Sequence, residues 1–97
     1  MASVLGKEIK RIPIYQDTGP VTKGELVVME GGIALVNGNQ RLELPRSMIE
    51  DVHVVSPMPL LRHKIALSYV DYMGAHTTVE IVVPERDYRH IVQCIRG

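Results

Sequence analysis

The stretch TTVEIVVPERDYRHIVQCIRG, residues 77–97, decides the fold because its hydrophobic period changes partway along it. Residues 77–83 are rich in β-branched and aliphatic side chains, which predicts a strand. Pro84 suits the first turn of a helix, because its missing N–H needs no partner there. Beyond it, an apolar stripe recurs with helical spacing at Tyr88, Ile91, Val92 and Ile95. We therefore expect one C-terminal amphipathic helix whose stripe packs onto a sheet.

Six further strands are predicted upstream, each by a short β-rich run bounded by turn residues. They span residues 8–15, 25–29, 33–36, 40–44, 48–55 and 64–70. Asn37-Gly38 predicts a type I′ hairpin turn, because both residues tolerate positive φ. Pro13 places the first strand near an edge, since it cannot donate to a ladder. Seven antiparallel strands followed by one helix predict an α+β, mainly β architecture: a barrel or sandwich capped by the C-terminal helix.

The length of 97 residues fits one domain with one core. Hydrophobic residues make up 45% and charged residues 23%, which is typical of a folded globular chain. We expect a loose N-terminal tail over residues 1–6 and a single domain over residues 7–97.

The charge balance argues against nucleic acid as a partner. Eleven Lys and Arg match eleven Asp and Glu, so the excess positive charge that phosphate backbones demand is absent. A single cysteine, Cys94, cannot close an internal disulfide and fits a reducing compartment. No apolar run approaches the ~20 residues that span a bilayer. These features predict a cytoplasmic protein that is not embedded in a membrane.

Two stretches carry a family pattern: KGELVV, residues 23–28, and LELPRSMIEDV, residues 42–52. Over residues 8–96 the chain resembles the PH-like (GRAM-like) superfold. That resemblance implies a glycine-preceded hairpin, a strand that ends in Leu-Pro, two further strands and a capping helix.

Within that superfold, the addition of PMPL, residues 57–60, and KIALSY, residues 64–69, resembles the N-terminal part of archaeal taxis adaptor (CheF-like) proteins. This resemblance implies a role between the chemotaxis response regulator and the archaellum motor. The implied function is that of an adaptor in prokaryotic taxis signalling.

An apolar segment follows the fifth predicted strand, and its two prolines argue against continuing that strand. Its residues are Pro57, Met58, Pro59, Leu60, Leu61, Arg62 and His63. Exposed apolar side chains in a proline-stiffened loop often mark a partner-binding surface. In the alternative, Leu60 and Leu61 fold back to plug an open end of the barrel and only Met58 stays outside.

These features favour a non-catalytic protein–protein interaction or adaptor module that uses this loop and a sheet edge. A free edge can accept a partner's extended peptide through main-chain hydrogen bonds. It can equally pair with a second copy and form a homodimer.

A peripheral lipid-binding module is the second hypothesis. Its candidate residues are Lys7, Lys10, Arg11 and Lys23, because anionic headgroups require concentrated positive charge. The loop after the first strand, however, contains Asp17 and only one of these cations.

A small hydrolase that uses His53 and Asp51, with Ser47 as a nearby nucleophile, is the third hypothesis. No nucleophile-elbow pattern surrounds Ser47. An exposed polar pair on a strand face explains Asp51 and His53 equally well. The histidines lack the close spacing of a zinc site, so we expect neither metal nor cofactor.

Overall fold

The computed structural model describes residues 5–16 and 21–96. In this part of the chain, seven antiparallel strands form one sheet in the order β4-β3-β2-β1-β7-β6-β5, followed by one α-helix. The strands are β1 (Glu8–Tyr15), β2 (Thr22–Met29), β3 (Gly32–Asn37), β4 (Gln40–Pro45), β5 (Ile49–Met58), β6 (Arg62–Val70) and β7 (His76–Pro84), and the helix is α1 (Tyr88–Arg96). Short 3-10 turns, Arg46–Met48 and Glu85–Asp87, precede β5 and α1. The predicted mainly β architecture with a C-terminal helix is confirmed.

The sheet consists of two antiparallel meanders that meet between β1 and β7. One meander is β1–β4 and the other is β5–β7, and Tyr15 pairs with Val82 where they join. The prediction of an edge position for β1 is wrong, because β2 and β7 flank it. Pairing of β1 with β7 is nevertheless limited to Tyr15, which leaves Pro13 with a neighbouring strand on one side only.

One hydrophobic core connects the two meanders. Its fully buried members include Leu26 and Ile33 from the first meander and Ile65 and Leu67 from the second. Both meanders therefore depend on the same apolar interior.

Helix α1 closes this core. Ile91 is completely buried, and Cys94, which the predicted stripe omitted, is also a core residue. The other stripe residues pack against the same cluster and are partly buried: Tyr88, Val92 and Ile95. The predicted apolar face of the helix is confirmed.

Polar contacts fix both ends of α1. The Lys10 ammonium lies 3.1 Å from the buried Asp87 carboxylate just before the helix. The Arg46 side chain donates a 2.7 Å hydrogen bond to the carbonyl of Cys94 in the last helical turn, where carbonyls lack intrahelical partners. The helix is therefore tied to the sheet by charge as well as by apolar packing.

The turn between β3 and β4 differs from the predicted Asn37-Gly38 turn. Asn37 pairs with Gln40, so the two-residue loop is Gly38-Asn39. Gly38 has a φ of 62°, whereas Asn39 does not have positive φ. Glycine at the first central position is the type II′ pattern, not type I′.

Strand β5 runs further than its prolines predicted. Pro57 pairs with His63 and Met58 with Arg62, so the loop expected over residues 57–63 is a short turn over residues 59–61. The prediction failed because β5 is the last strand of the sheet. Proline is tolerated at an edge, where one side of the strand has no ladder to maintain.

Two irregularities in β5 also change which residues face the core. They lie between Ile49 and Asp51 and between Val54 and Ser56. Ile49 and Val52 are both buried although strict alternation would put them on opposite faces.

The segment expected to be a loose tail contains a core residue. Leu5 is buried against Val27, Met29 and Ala34 in a small cluster separate from the main core. Its carbonyl accepts a 2.8 Å hydrogen bond from the N–H of Gly31. The expectation therefore fails at Leu5, and residues 1–4 lie outside the described residues.

Candidate functional site

The turn between β5 and β6, residues 59–61, presents two leucines to solvent. We call it the leucine turn. Leu60 and Leu61 have φ values of 65° and 57°, and among the described residues they are the non-glycine positions with positive φ. Their side chains are 65% and 81% exposed. They do not fold back towards the core, as the alternative prediction had it, and Met58 is the half-buried residue instead.

The backbone of the leucine turn is strained. Left-handed φ brings the Cβ of an L-residue close to a backbone carbonyl, which costs roughly 1–2 kcal/mol per residue. Glycine and asparagine are the usual occupants of such positions. The chain therefore accepts strain and unfavourable exposure at the same two residues.

Neighbouring groups hold the leucine turn in place. The N–H of Glu85 donates a 2.9 Å hydrogen bond to the carbonyl of Leu61. The pairing of Met58 with Arg62 closes the hairpin at its base. The Arg62 guanidinium lies 3.5 Å from the centre of the Tyr15 ring, which is a cation–π contact. The leucines thus project from a fixed support.

An open cavity of about 460 Å³ lies beside the leucine turn. We call it the turn cavity. Its lining residues are Tyr15, Leu60, Leu61, Arg62, Pro84, Glu85 and Arg86. The exposed side chains of Glu85 and Arg86 place opposite charges next to the apolar surface. Tyr15, Glu85 and Arg86 are distant in sequence from the predicted loop, so no local signal could have assigned them to it.

The predicted partner-binding segment divides into an outward and an inward part. Its last member, His63, meets the Tyr88 ring edge to face with 6.3 Å between ring centres. The Nδ1 atom of His63 is buried and has no hydrogen-bond partner within the described part of the chain. His63 therefore faces the interior, whereas Leu60 and Leu61 face solvent.

Side chains contact backbone carbonyls on both edge strands of the sheet. On β4, the Tyr72 hydroxyl donates a 2.8 Å hydrogen bond to the carbonyl of Glu43. On β5, Arg96 lies 3.5 Å from the carbonyl of Val52, and Pro57 lacks an N–H. Prolines and bulges, such as those of β5, hinder the addition of another strand.

Two of the four cations proposed for lipid binding are ion-paired. Lys10 contacts the Asp87 carboxylate at 3.1 Å. Arg11 contacts Glu8 at 2.7 Å and Glu25 at 3.2 Å. The hydrogen bond to Glu8 is the largest of the effects that raise the pKa of Arg11.

The other two cations do not add a concentrated positive patch. Lys7 lies two residues after the buried Leu5, and its backbone N–H donates a 2.7 Å hydrogen bond to the Glu30 carboxylate. Lys23 is exposed near the start of β2. The Asp17 position lies outside the described residues.

The residues of the hydrolase hypothesis come together only in part. His53 Nδ1 lies 2.9 Å from the Asp51 carboxylate, and this hydrogen bond is the main cause that lowers the pKa of Asp51. Ser47 lies in the 3-10 turn before β5, and within residues 5–16 and 21–96 its hydroxyl makes no hydrogen bond to His53. The described residues contain nothing that points to catalysis.

The four histidines lie on four different elements. His53, His63, His76 and His90 belong to β5, β6, β7 and α1. Among the described residues, no group of three or more His, Cys, Asp or Glu is arranged to hold a metal ion. His76 Nδ1 lies 2.8 Å from the Glu50 carboxylate, and this hydrogen bond raises the pKa of His76.

A second cavity, of about 450 Å³, lies between β1, β2 and α1. Its polar lining includes Lys10 and Arg46, together with His90 and Gln93. Lys10 and Arg46 already bind Asp87 and backbone carbonyls. These cations serve to fix α1, which makes the leucine turn the stronger candidate for a binding site.

Comparison with known proteins does not assign the chain to a family. No model of a protein family matches the sequence, and no curated protein matches it. Within the described residues, no helix is long and apolar enough to cross a membrane.

Proposed function

We propose that this protein is a non-catalytic interaction module of the adaptor type, and that it binds another protein through the leucine turn. The observation that carries the proposal is the combination of positive φ and high exposure at Leu60 and Leu61. Strained backbone conformations cluster at active and ligand-binding sites, where the surrounding structure holds them in place.

Burial of Leu60 and Leu61 in an apolar pocket of a partner would lower the free energy of the complex. Removing an exposed leucine side chain from water contributes roughly 1.5–3 kcal/mol. The hydrogen bond from Glu85 to Leu61 and the pairing of Met58 with Arg62 restrain the turn, and a restrained segment loses less conformational freedom on binding. Two adjacent leucines can therefore act as the energetic centre of a small interface.

The alternatives have weaker support. An anionic headgroup would have to compete with Asp87 for Lys10 and with two carboxylates for Arg11. Hydrolysis by His53 and Asp51 would require an activated nucleophile. By resemblance, proteins of archaeal taxis signalling are the first partners that we propose to test.

The proposal is tested by Leu60→Glu with Leu61→Glu, and Met73→Glu serves as the matched control. Met73 is an apolar residue, 91% exposed, in the turn between β6 and β7. Proteins retained by the wild-type chain from a lysate of its source are identified, and the binding of each purified candidate is measured by titration. Circular dichroism verifies that all variants are folded.

We expect the leucine variant to weaken binding by at least about tenfold, because each glutamate places a charge in an apolar contact. Met73→Glu should bind like the wild type. Equal binding by folded wild-type and leucine-variant proteins would refute the proposed surface.

A further inference from the structure

The leucine turn and the turn cavity place a protruding apolar pair and a recess side by side on one surface. The leucines project from it, and the cavity of about 460 Å³ opens directly beside them. A cavity of about 150 Å³ already accommodates a benzene molecule. The turn cavity is therefore large enough to receive leucine side chains from a second copy.

A two-fold symmetric dimer would bury the exposed leucines of both copies at once. In such a dimer the same patch is used on both sides, so a contact from one residue to another is repeated in reverse. The leucines of each copy would enter the turn cavity of the other. Both pairs of exposed leucines would be buried by a single arrangement.

The charges beside the cavity are also self-complementary. Glu85 and Arg86 are adjacent, exposed and opposite in charge. A two-fold axis that passes beside these two residues would place Glu85 of one copy opposite Arg86 of the other. The chain as a whole has a formal net charge of zero, so long-range repulsion between copies is small.

We propose that a second copy of this chain binds this surface and forms a two-fold dimer through Leu60, Leu61, Glu85 and Arg86. The inference rests on the proposed function, because it names a partner for the same surface. Protein partners and the second copy would then compete for the leucines. The dimer differs from one formed through a sheet edge, where Tyr72 contacts the carbonyl of Glu43 and Arg96 contacts the carbonyl of Val52.

The first experiment is sedimentation equilibrium of the purified full chain. The surface centres on one three-residue turn and its neighbouring cavity, so we expect weak association, with half-dimerisation on the order of 100 µM. The mean mass should rise from 10.8 kDa towards twice that value. A mass that remains monomeric at about 1 mM would overturn the inference.

Variants of the leucines identify the surface. Leu60→Asn with Leu61→Gly introduces residues that tolerate positive φ and removes the apolar side chains. It should stay monomeric, as should the single variant Leu61→Ser. A folded variant that still dimerises like the wild type would show that another surface forms the dimer and would overturn the inference.

Charge exchange tests the geometry. Glu85→Arg places like charges opposite each other, and Arg86→Glu does the same with the opposite sign. Each variant alone should dimerise at least about tenfold more weakly than the wild type. An equimolar mixture should recover association, because each arginine of the first variant then faces a glutamate of the second. A mixture that remains monomeric would overturn the proposed pairing.

These outcomes are distinct from those for the proposed function. A wild-type chain that remains monomeric but loses its protein partner when the leucines are replaced would overturn only the dimer. A dimer that depends on the leucines, combined with partner binding that does not, would overturn only the proposed function.

Discussion

The hairpin of β3 and β4 and the hairpin of β5 and β6 use leucine in opposite ways. In the first, Leu44 is fully buried in the core, and glycine occupies the strained turn position at Gly38. In the second, Leu60 and Leu61 themselves occupy positive-φ positions and are exposed. The first hairpin follows the rules for stability, whereas the second departs from them at its turn. The difference separates a buried leucine of the core from the exposed leucines of the proposed binding surface.

The largest expected effect on the free energy of unfolding comes from replacing a leucine by alanine in each of the two hairpins. Leu44→Ala should lower the free energy of unfolding by about 3 kcal/mol, because it removes buried methyl groups and leaves a cavity. Leu61→Ala should change it by no more than about 0.5 kcal/mol, since the side chain is already solvated. Urea denaturation followed by circular dichroism measures both values. Similar losses in the two variants would erase the distinction between the hairpins.

Replacement of the leucine turn should stabilise the protein. Leu60→Asn with Leu61→Gly should raise the free energy of unfolding by about 1–2 kcal/mol, because both residues accept left-handed φ. The gain is limited by the greater freedom of glycine in the unfolded chain. The midpoint of thermal unfolding should increase. A marked decrease would mean that the leucines contribute to the fold of the isolated chain.

The reverse change at the first hairpin should be destabilising. Gly38→Leu should lower the free energy of unfolding by about 1 kcal/mol, because a leucine there must adopt positive φ. No atom lies within 4 Å of the position of an added Cβ, so steric clash adds nothing. Asn39→Leu, at the neighbouring position without positive φ, is the control and should cost less in the same denaturation experiment. Equal losses would argue against backbone strain as the cause.

The smallest effect concerns the end of the β5–β7 meander that lies opposite the leucine turn. The Glu50 carboxylate raises the pKa of His76, so Glu50→Gln should lower that pKa towards the ordinary value of about 6.5. The pair stabilises the folded state fully below that ordinary value and loses its effect as pH rises through the raised pKa. NMR titration of the His76 ring measures the shift, with Glu80→Gln on the same strand as the control. An unchanged His76 titration in Glu50→Gln would contradict the contact.

Local patterns predicted much of the sheet, and the exceptions have identifiable causes. The runs that predicted β1, β4, β6 and β7 lie within or close to the observed strands. The end of β5 was missed because proline disrupts a central strand but is tolerated at an edge, and strand order is a property of the assembled sheet. The turn at Gly38 was displaced by one residue because the register of β3 and β4 decides which residues lie between them.

The candidate site was predicted only in part. Two prolines and two leucines indicated an apolar loop over residues 57–63, but the outward direction of Leu60 and Leu61 was one of two open alternatives. In the structure both leucines point outward, and the pairing of Met58 with Arg62 and the hydrogen bond from Glu85 to Leu61 hold the turn in that position. The turn cavity depends on Tyr15 and on the segment after β7, which meet the leucine turn only in three dimensions.

The sequence by itself determined the element types: alternating β-rich runs, then an apolar stripe with a helical period that had to be buried. It determined these because hydrophobic periodicity and proline and glycine preferences act over a few neighbouring residues. Tertiary structure decided which strand became an edge, which backbone positions took positive φ, and which leucines remained in water. Those outcomes depend on contacts between distant residues. A side chain is buried, and a strand becomes an edge, only when separate parts of the chain pack into one sheet around one core.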